Sequence, residues 1–243
     1  MNRTVLAIDA GNTRIKWGAH DGTRWITQSW VKTAHVAQLR DAFADLPELQ
    51  SVVISNVAGA ALQRALGAIL PRTPAPRWIR SEHRQCGVRN GYNEPAQLGC
   101  DRWAALIGAH ALHAGPAIVV CSGTALTADA LTDDGVFVGG IIIPGAELMG
   151  NALAGNTAAL ERQPGAFSYF PGATGDAIAS GTVNALCGAV ERMARFLEET
   201  GQARPACVLS GGGAALIEPH LNLEVRTVDN LVLEGLLSIA REA

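Results

Sequence analysis

The stretch 5–18 limits what this chain can fold into more than any other part of it. Val5–Ile8 is a short apolar run with β-branched members, which predicts a buried strand. The run ends at Asp9, Gly11-Asn12 is typical of a tight turn, and a strand pattern resumes at Ile15. The sequence therefore predicts a hairpin with an acid at the end of its first strand.

The tip of this hairpin has the residues of a phosphate-binding turn. Glycine lets backbone N–H groups approach a phosphate closely, and Thr13 and Lys16 add donors. Asp9 is suited to Mg²⁺, directly or through water, because Mg²⁺ takes one or two carboxylates together with substrate phosphates. The spacing matches neither a P-loop nor a Rossmann fingerprint. An ordinary β-turn with a solvated aspartate therefore remains open from these residues alone.

Composition narrows the class of protein. The 243 residues allow one large domain or two small ones, and 48% apolar residues are enough for a globular core. A net charge of −3 without a basic run argues against nucleic acid and membrane surfaces as partners. No apolar run reaches the ~18 residues that a membrane span needs, and the N-terminus has no signal-peptide pattern. We therefore expect a cytoplasmic protein.

The five cysteines are scattered and form no C-x-x-C pair. This spacing predicts neither a zinc site nor a disulfide framework. Reduced thiols in a cytoplasmic protein are the expected state.

The opening design occurs a second time. Ala117–Val120 predicts a buried strand that runs through Cys121 into a Gly123-Thr124 turn, and a second strand follows through Leu131. This repeat predicts two similar α/β domains, over 1–115 and 116–243. Later, Gly211–Gly213 follows another predicted strand, where bare backbone allows a flat ligand to lie close, although a flexible turn explains the glycines equally simply.

A polar segment over 87–103 contains the second candidate acid. Asp101 comes just before an alanine-rich run that predicts a helix over 103–112. Aspartate is favoured at helix N-termini, so a plain N-cap is one interpretation. The neighbouring Arg102 and the nearby Tyr92 favour a functional site instead.

Together these motifs resemble those of the type III pantothenate kinases, in the acetate and sugar kinase/actin superfamily. The resemblance spans nearly the whole chain, and the order of the motifs is specific although each alone is not. It is carried by Asp9-Ala-Gly-Asn-Thr13-Arg-Ile-Lys16, Asn90-Gly-Tyr92-Asn-Glu-Pro95, Leu98-Gly99-Cys-Asp101-Arg102-Trp103, Gly123-Thr124-Ala-Leu-Thr127-Ala-Asp129, Gly139-Gly140 before Pro144-Gly145, and Gly211–Gly213.

The resemblance implies an α/β fold of two ribonuclease-H-like (actin-like ATPase) domains with the active site in the cleft between them. It implies a kinase that uses ATP to phosphorylate pantothenate to 4'-phosphopantothenate, the first step of coenzyme A biosynthesis. It also implies Mg²⁺, a monovalent cation (K⁺ or NH₄⁺) and a homodimer.

The resemblance also assigns roles to residues. Asp101 matches the catalytic base and Asp9 the residue that positions metal and phosphate. The positions that match ATP and phosphate binding are Asp9, Ala10, Gly11, Asn12, Thr13, Arg14, Ile15, Lys16, Gly123 and Thr124. Those that match the pantothenate pocket are Tyr92, Gly99, Cys100, Asp101 and Arg102, with Thr174 reaching in from the dimer partner.

One position departs from the family pattern. Many relatives carry an aspartate that helps to hold the monovalent cation where this chain has Cys121. A thiol is a poor ligand for a hard cation. The resemblance therefore leaves two alternatives, a cation held by carbonyl groups or a cation that is dispensable.

Two other functions remain open at this point. Some members of the family are described as accessory factors to a virulence regulator, which suggests a regulatory ATP-binding protein. A kinase of another small hydroxy acid is the second, because substrate identity depends on the segment from Tyr92 to Arg102. The presence of both Asp9 and Asp101 favours an enzyme.

Overall fold

The computed structural model describes residues 4–72, 74–156 and 164–242, and it divides the chain into two compact units. Unit 1 comprises Met1–Leu112 and Asn230–Ala243, and unit 2 comprises His113–Asp229. The predicted division after residue 115 lies close to the observed one after Leu112. Residues 230–243, however, belong to unit 1, whereas the predicted division placed them in the second domain.

Unit 1 begins with the predicted hairpin and continues to a helix that carries Asp101. Its elements are β1 (Thr4–Ala10), β2 (Arg14–His20), β3 (Trp25–Lys32), α1 (Leu39–Ala44), β4 (Leu49–Asn56), α2 (Gly59–Ile69), β5 (Arg77–Trp78), β6 (Arg84–Gln85), β7 (Val88–Asn90) and α3 (Cys100–Leu112). Short 3-10 helices cover Thr33–Gln38 and Pro95–Gln97.

Two helices differ from their sequence-based bounds. The spacing of Val36, Leu39, Phe43 and Leu46 predicts one helix over 34–46, but the chain forms a 3-10 helix kinked at His35 (φ −109°, ψ 28°) before α1 begins. The α3 helix begins at Cys100 rather than at Trp103, so Asp101 lies inside its first turn. Sequence spacing identifies the apolar face of a helix but not the residue at which the hydrogen bonds begin.

The five-stranded sheet of unit 1 has the order β3-β2-β1-β4-β5. β1 and β2 are antiparallel, as are β2 and β3, whereas β4 pairs in parallel with β1 and with β5. One face is covered by α1 and α2 over a core that includes Leu6, Ile8 and Ile54. The register sets Asp9 opposite Lys16 on β2 and beside Ser55 on β4.

Unit 2 repeats this arrangement. Its elements are β8 (Ala117–Ser122), β9 (Ala125–Leu131), β10 (Val136–Pro144), α4 (Ala146–Asn156), α5 (Thr174–Glu199), β11 (Ala206–Ser210), α6 (Ala214–Ile217) and β12 (Val225–Thr227), after which α7 (Leu231–Glu242) ends the chain in unit 1. The sequence predicts a helical region over 174–200 that pauses at Gly181, whereas α5 is continuous through that residue.

Strand order identifies the two units as one topology used twice. In unit 2 the order is β10-β9-β8-β11-β12, with β8–β9 and β9–β10 antiparallel and β8–β11 and β11–β12 parallel. Each strand therefore corresponds in position and direction to one strand of the sheet in unit 1. The internal repeat that the sequence predicted is confirmed.

The last helix returns to unit 1 because its apolar face is buried there against α3. Leu231, Leu236 and Ile239 are fully buried. The helices cross at two glycines: a Cβ on Gly108 would lie 2.6 Å from the carbonyl oxygen of Leu231, and a Cβ on Gly235 would overlap the carbonyl of Ala104. Backbone contact at this crossing fixes α7 against the helix that carries Asp101.

Across the described residues, no helix is both long enough and apolar enough to cross a membrane.

Candidate active site

Asp9 lies near the end of β1 in surroundings that disfavour its charge. Its side chain is partly buried, and burial raises its pKa to about 7, with a further contribution from the carboxylate of Asp101 and an opposing one from Lys16. The electrostatic interaction shows that the two predicted acids share one site in unit 1. Two carboxylates in a poorly solvated place favour a cation beside them.

The end of β4 places Asp101 next to Asp9. The Cys100 thiol donates to the carbonyl oxygen of Asn56 at 3.5 Å and contacts the Ser55 hydroxyl at 3.3 Å. Ser55 is fully buried and in register with Asp9. Burial raises the pKa of the Cys100 thiol. Cys100 therefore ties the first turn of α3 to the strand beside Asp9.

The carboxylate of Asp101 curls back over the start of its own helix. Its Oδ1 accepts the Arg102 backbone N–H at 2.8 Å, and the N–H of Trp103 bonds to the carbonyl oxygen of Gly99 at 3.0 Å. A Cβ on Gly99 would lie 2.6 Å from Asp101 Oδ1. Gly99 therefore leaves the space that the carboxylate occupies, a role that the motif alone did not reveal.

Arg102 is a buried cation held by a tyrosine. The residue is 6% exposed, and its guanidinium donates to Tyr92 Oη at 3.2 Å and lies 5.9 Å from the centre of the Tyr92 ring. Buried Asn90 shapes the loop, since its Oδ1 accepts the Tyr92 N–H at 3.1 Å and its amide donates to the Pro95 carbonyl at 3.2 Å. The structure brings Tyr92 and Arg102 together as the sequence predicted, and adds Asn90.

The turn after β1 is partly solvent-facing. Asn12, Thr13 and Arg14 are exposed, whereas the side chains of Ala10 and Ile15 are fully buried in the core. A ligand at this turn therefore reaches Ala10 and Ile15 only through their main chain. The residues predicted to bind phosphate therefore include two with side chains buried in the core, Ala10 and Ile15, and three with exposed side chains, Asn12, Thr13 and Arg14.

The corresponding turn in unit 2 is built from closely packed backbone. The N–H of Gly145 donates to the Thr124 carbonyl at 2.9 Å, and a Cβ on Gly145 would overlap the Gly123 carbonyl. The N–H of Gly213 donates to the Ser122 carbonyl at 2.9 Å, and Gly211 has a φ of +103°. The three glycine segments that the sequence singled out meet at this turn.

Cys121 on β8 lies opposite Thr127 on the neighbouring strand β9. It pairs across the antiparallel β8–β9 ladder with Thr127, whose buried Oγ1 has no hydrogen-bond partner among the described residues. Cross-strand partners share one face of the sheet. An oxygen donor that the sequence analysis missed therefore lies beside the thiol at the predicted position of the monovalent cation.

The donors in unit 1 fit a magnesium ion. No group of three or more His, Cys, Asp or Glu side chains forms a metal cluster among residues 4–72, 74–156 and 164–242. Mg²⁺ needs no such cluster, because it takes one or two carboxylates and completes its shell with water and phosphate oxygens. Asp9 supplies such a carboxylate, and Asp101 lies close enough to interact with it electrostatically.

Thr174 lies apart from these groups in the chain, as the first residue of α5 in unit 2. It faces a cavity of about 610 Å³ whose walls come from α4, α5 and the end of β10. The lining residues are mainly apolar: Pro144, Met149, Ala152, Leu153, Thr174, Ala177, Ile178, Gly181 and Thr182.

Comparison with known proteins identifies the family of the chain. Residues 5–195 match the family described as type III pantothenate kinase. The chain is 49% identical to the type III pantothenate kinase of Nitrosospira multiformis, over 100% of this chain and 93% of the relative. It is 51% identical to that of Aromatoleum aromaticum, over 98% of each.

Solved structures show the same fold at low identity. A protein of Campylobacter jejuni described as a conserved Baf family transcriptional activator has a TM-score of 0.63, with 18% identity and 98% of each chain covered. Structures described as sugar kinases also match, with TM-scores of 0.53 to 0.57.

The repeated sheet and these matches define the class of protein: a kinase with the actin-like ATPase fold, as the resemblance implied. Within that class, the chain belongs to the type III pantothenate kinase family.

The pair of Tyr92 and Arg102 leads to a prediction about stability. Tyr92→Phe removes the oxygen that accepts from a buried guanidinium, and a hydrogen bond to a charged group contributes about 1.5–3 kcal/mol. We expect the lower end of this range, because Tyr92 is only partly buried. The melting temperature should therefore fall by a few degrees. Tyr169→Phe is the matched control, since Tyr169 is 86% exposed; an equal melting temperature for both variants would contradict the structural role of the pair.

Proposed function

We propose that this protein phosphorylates pantothenate with ATP, giving 4'-phosphopantothenate and ADP in the first step of coenzyme A biosynthesis. Membership of the family identifies pantothenate as the substrate. The observation that supports the mechanism is the pairing of Asp9 with Asp101 in one poorly solvated site. Such a pair suits phosphoryl transfer, which needs charge neutralised and an acceptor hydroxyl oriented in line.

In this mechanism Asp101 is the general base. Its carboxylate takes the proton of the primary hydroxyl of pantothenate as the hydroxyl oxygen attacks the γ-phosphorus of ATP. The bond between that phosphorus and the β,γ-bridging oxygen breaks, and ADP leaves with the electron pair. The helix turn that holds Asp101, through Gly99 and the Arg102 N–H, fixes the direction of the carboxylate.

The other predicted residues bind and orient the two substrates. Backbone and side chains of the segment from Asp9 to Lys16, with Gly123 and Thr124, bind the phosphates of ATP. Tyr92, Gly99, Cys100 and Arg102 form the pocket for pantothenate. Asp9, with Asp101 nearby, would hold Mg²⁺, which neutralises phosphate charge when bound. The raised pKa of Asp9 supports this role, because an adjacent cation relieves the cost of its charge.

Asp101→Asn is the variant that tests the proposed base. Asparagine retains an oxygen for the Arg102 N–H but cannot take a proton, so kcat should fall by about 10²-fold or more. The melting temperature should stay near that of the wild type, since Asn suits a helix N-terminus about as well as Asp. ADP release that depends on pantothenate is measured beside thermal melting.

Asp41→Asn is the matched control, because Asp41 is also a first-turn aspartate in unit 1. A stable Asp101→Asn variant that keeps most of its kcat would remove Asp101 as the base. A panel of hydroxy acids assayed with the wild type separates pantothenate from other acceptors. ATP binding without turnover on any of them would favour the regulatory alternative.

We propose that a monovalent cation, K⁺ or NH₄⁺, is bound near Cys121 less tightly than in relatives with an aspartate there. The unpartnered Thr127 Oγ1 supports an oxygen donor at this position, and the thiol is a poor one. Cys121→Asp should therefore lower the K⁺ concentration that gives half-maximal activity. Cys121→Ser, which adds an uncharged oxygen, is the control, and choline chloride holds the ionic strength constant. An identical K⁺ titration in Cys121→Asp would show that the position holds no ligand.

We also propose a homodimer that buries the groove between α4 and α5, with Thr174 reaching the pantothenate bound by the other copy. The groove is apolar, and Leu148 and Leu153 on α4 are 43% and 38% exposed. Apolar surface of this kind marks interaction sites.

We propose the cytoplasm as the location of the protein. All five cysteines are free thiols, and thiols are stable in that compartment.

Ile178→Asp tests the dimer, because it places a charge on the α5 wall of the groove. The solution mass should fall from that of two chains to that of one, and the KM for pantothenate should rise more than the KM for ATP. Leu216→Asp, at a 43% exposed leucine outside the groove, is the matched control. A dimer that persists in Ile178→Asp would exclude this face as the interface.

A further inference from the structure

Thr33, the residue that follows β3, holds the turn at residues 9–16 (the phosphate turn) through contacts that have no assigned role. Thr33 Oγ1 donates to the Gly11 carbonyl oxygen at 2.8 Å. The backbone N–H of Thr33 donates to the Thr13 carbonyl oxygen at 3.1 Å. Two carbonyls of the turn are therefore bound by a single residue that comes from outside it.

These two bonds determine which way the turn directs its N–H groups. A peptide unit is planar and trans, so its N–H points opposite to its C=O. With the Gly11 carbonyl turned toward Thr33, the N–H of Asn12 points away from β3, and the Thr13 carbonyl fixes the N–H of Arg14 in the same way. Asn12 and Arg14 are exposed. The bond from Thr33 Oγ1 thus directs the N–H of Asn12 away from the residue that braces the turn, whereas the Arg14 N–H faces Gly11 across the hairpin, where the Gly11 N–H donates to the Arg14 carbonyl oxygen at 3.1 Å.

The strand β3 itself restrains the one arginine of the phosphate turn. The Arg14 guanidinium lies 4.3 Å from the centre of the Trp30 ring, which is a cation–π distance. The register places Arg14 opposite Lys32 and Lys16 opposite Trp30. Because alternate residues of a strand share a face, Arg14 and Lys16 lie on the face that also carries Asp9. Trp30 therefore holds Arg14 in line with Lys16, and three cations, including Lys32, gather at this end of the sheet.

We propose that Thr33 and Trp30 are positioning residues that hold the phosphate turn in its ligand-binding shape before ATP arrives. The inference rests on the proposed function, since it takes the triphosphate of ATP as the ligand of this turn. A turn already fixed in its bound shape loses less conformational freedom when the ligand binds. Thr33 sets the direction of the Asn12 N–H and Trp30 the position of the Arg14 side chain.

Thr33→Val tests the backbone half of the proposal, because valine keeps the shape of threonine and removes its hydroxyl. We expect faster amide hydrogen exchange over residues 9–16 in the nucleotide-free protein. We also expect the KM for ATP to rise about three- to ten-fold, the factor that one hydrogen bond provides, while the KM for pantothenate stays unchanged. Thr33→Ser retains the hydroxyl and should restore both values.

Thr23→Val is the matched control for this variant. Thr23 lies in the turn at the other end of the β2–β3 pair, and its Oγ1 donates to Asp21 at 2.7 Å. The same chemical change there removes a side-chain hydrogen bond without touching the phosphate turn. Exchange over residues 9–16 and the KM for ATP should equal those of the wild type.

The pair Trp30→Phe and Trp30→Ala tests the side-chain half. Phenylalanine keeps an aromatic face under Arg14, so the KM of the Trp30→Phe variant for ATP should stay within about two-fold of the wild-type value. The Trp30→Ala variant, which has no aromatic face there, should show a larger increase in the KM for ATP. The increase in Trp30→Ala should leave hydrogen exchange at Gly11 and Thr13 unchanged, because Thr33 still holds the backbone.

Two results would overturn the proposal: Thr33→Val with wild-type exchange over residues 9–16 and a wild-type KM for ATP, or Thr33→Ser as impaired as Thr33→Val. A failure of the proposed function has a different signature. Wild-type protein would then release no ADP with pantothenate, while hydrogen exchange, which needs no nucleotide, would still report whether Thr33 braces the turn.

Discussion

The candidate site of unit 1 depends on the cost of burying one carboxylate, that of Asp9, close to a second, that of Asp101. Asp9 and Asp101 come from different elements, and neither acid alone requires a cofactor. The pKa of Asp9 is raised to about 7, chiefly by burial and then by the carboxylate of Asp101, and Lys16 offsets only part of this effect. A protein keeps such an arrangement at a cost in stability. The cost is explicable if a cation and a phosphorylated substrate complete the site.

The two units use the same strand order for different chemistry. In unit 1 the turn after the first strand carries charged side chains, Asp9 and Lys16, and its backbone is braced by Thr33. In unit 2 the equivalent turn, at Gly123-Thr124, is crowded by backbone from Gly145 and Gly213. There glycine is required because a Cβ at Gly145 would overlap a carbonyl of the turn. One topology thus provides a charged turn and a turn made almost entirely of backbone.

Most strands and both turns were predictable from the sequence, because an apolar run that ends at a glycine-rich turn has few alternatives. The motif around Tyr92 and Asp101 was predictable as a set, although its contacts were not. Thr33 was missed because its role depends on a partner distant along the chain, and Asn90 was named only as part of a motif, without its hydrogen bonds. The sequence showed Thr127 only as one residue of a motif. The structure adds that its hydroxyl is buried and that it pairs with Cys121 between β8 and β9. The packing of α7 against unit 1 was also not predictable, because the periodicity of the sequence shows that a helix has an apolar face but not which surface covers that face.

That last element has a consequence for the site. α7 packs on α3 where Gly108 and Gly235 allow their backbones to touch, and it also contacts β1 and β4. Trp25 on β3 donates to Glu234 at 2.7 Å and the backbone N–H of Cys86 to Glu242 at 2.8 Å, which ties both ends of α7 to the rest of unit 1. α3 is therefore held along its length by α7 and at its first turn by Cys100. Because Asp101 lies in that turn, its position relative to Asp9 is set largely by the packing of a helix that the chain adds last. Residues that touch no substrate thus control the interaction on which the proposed chemistry depends.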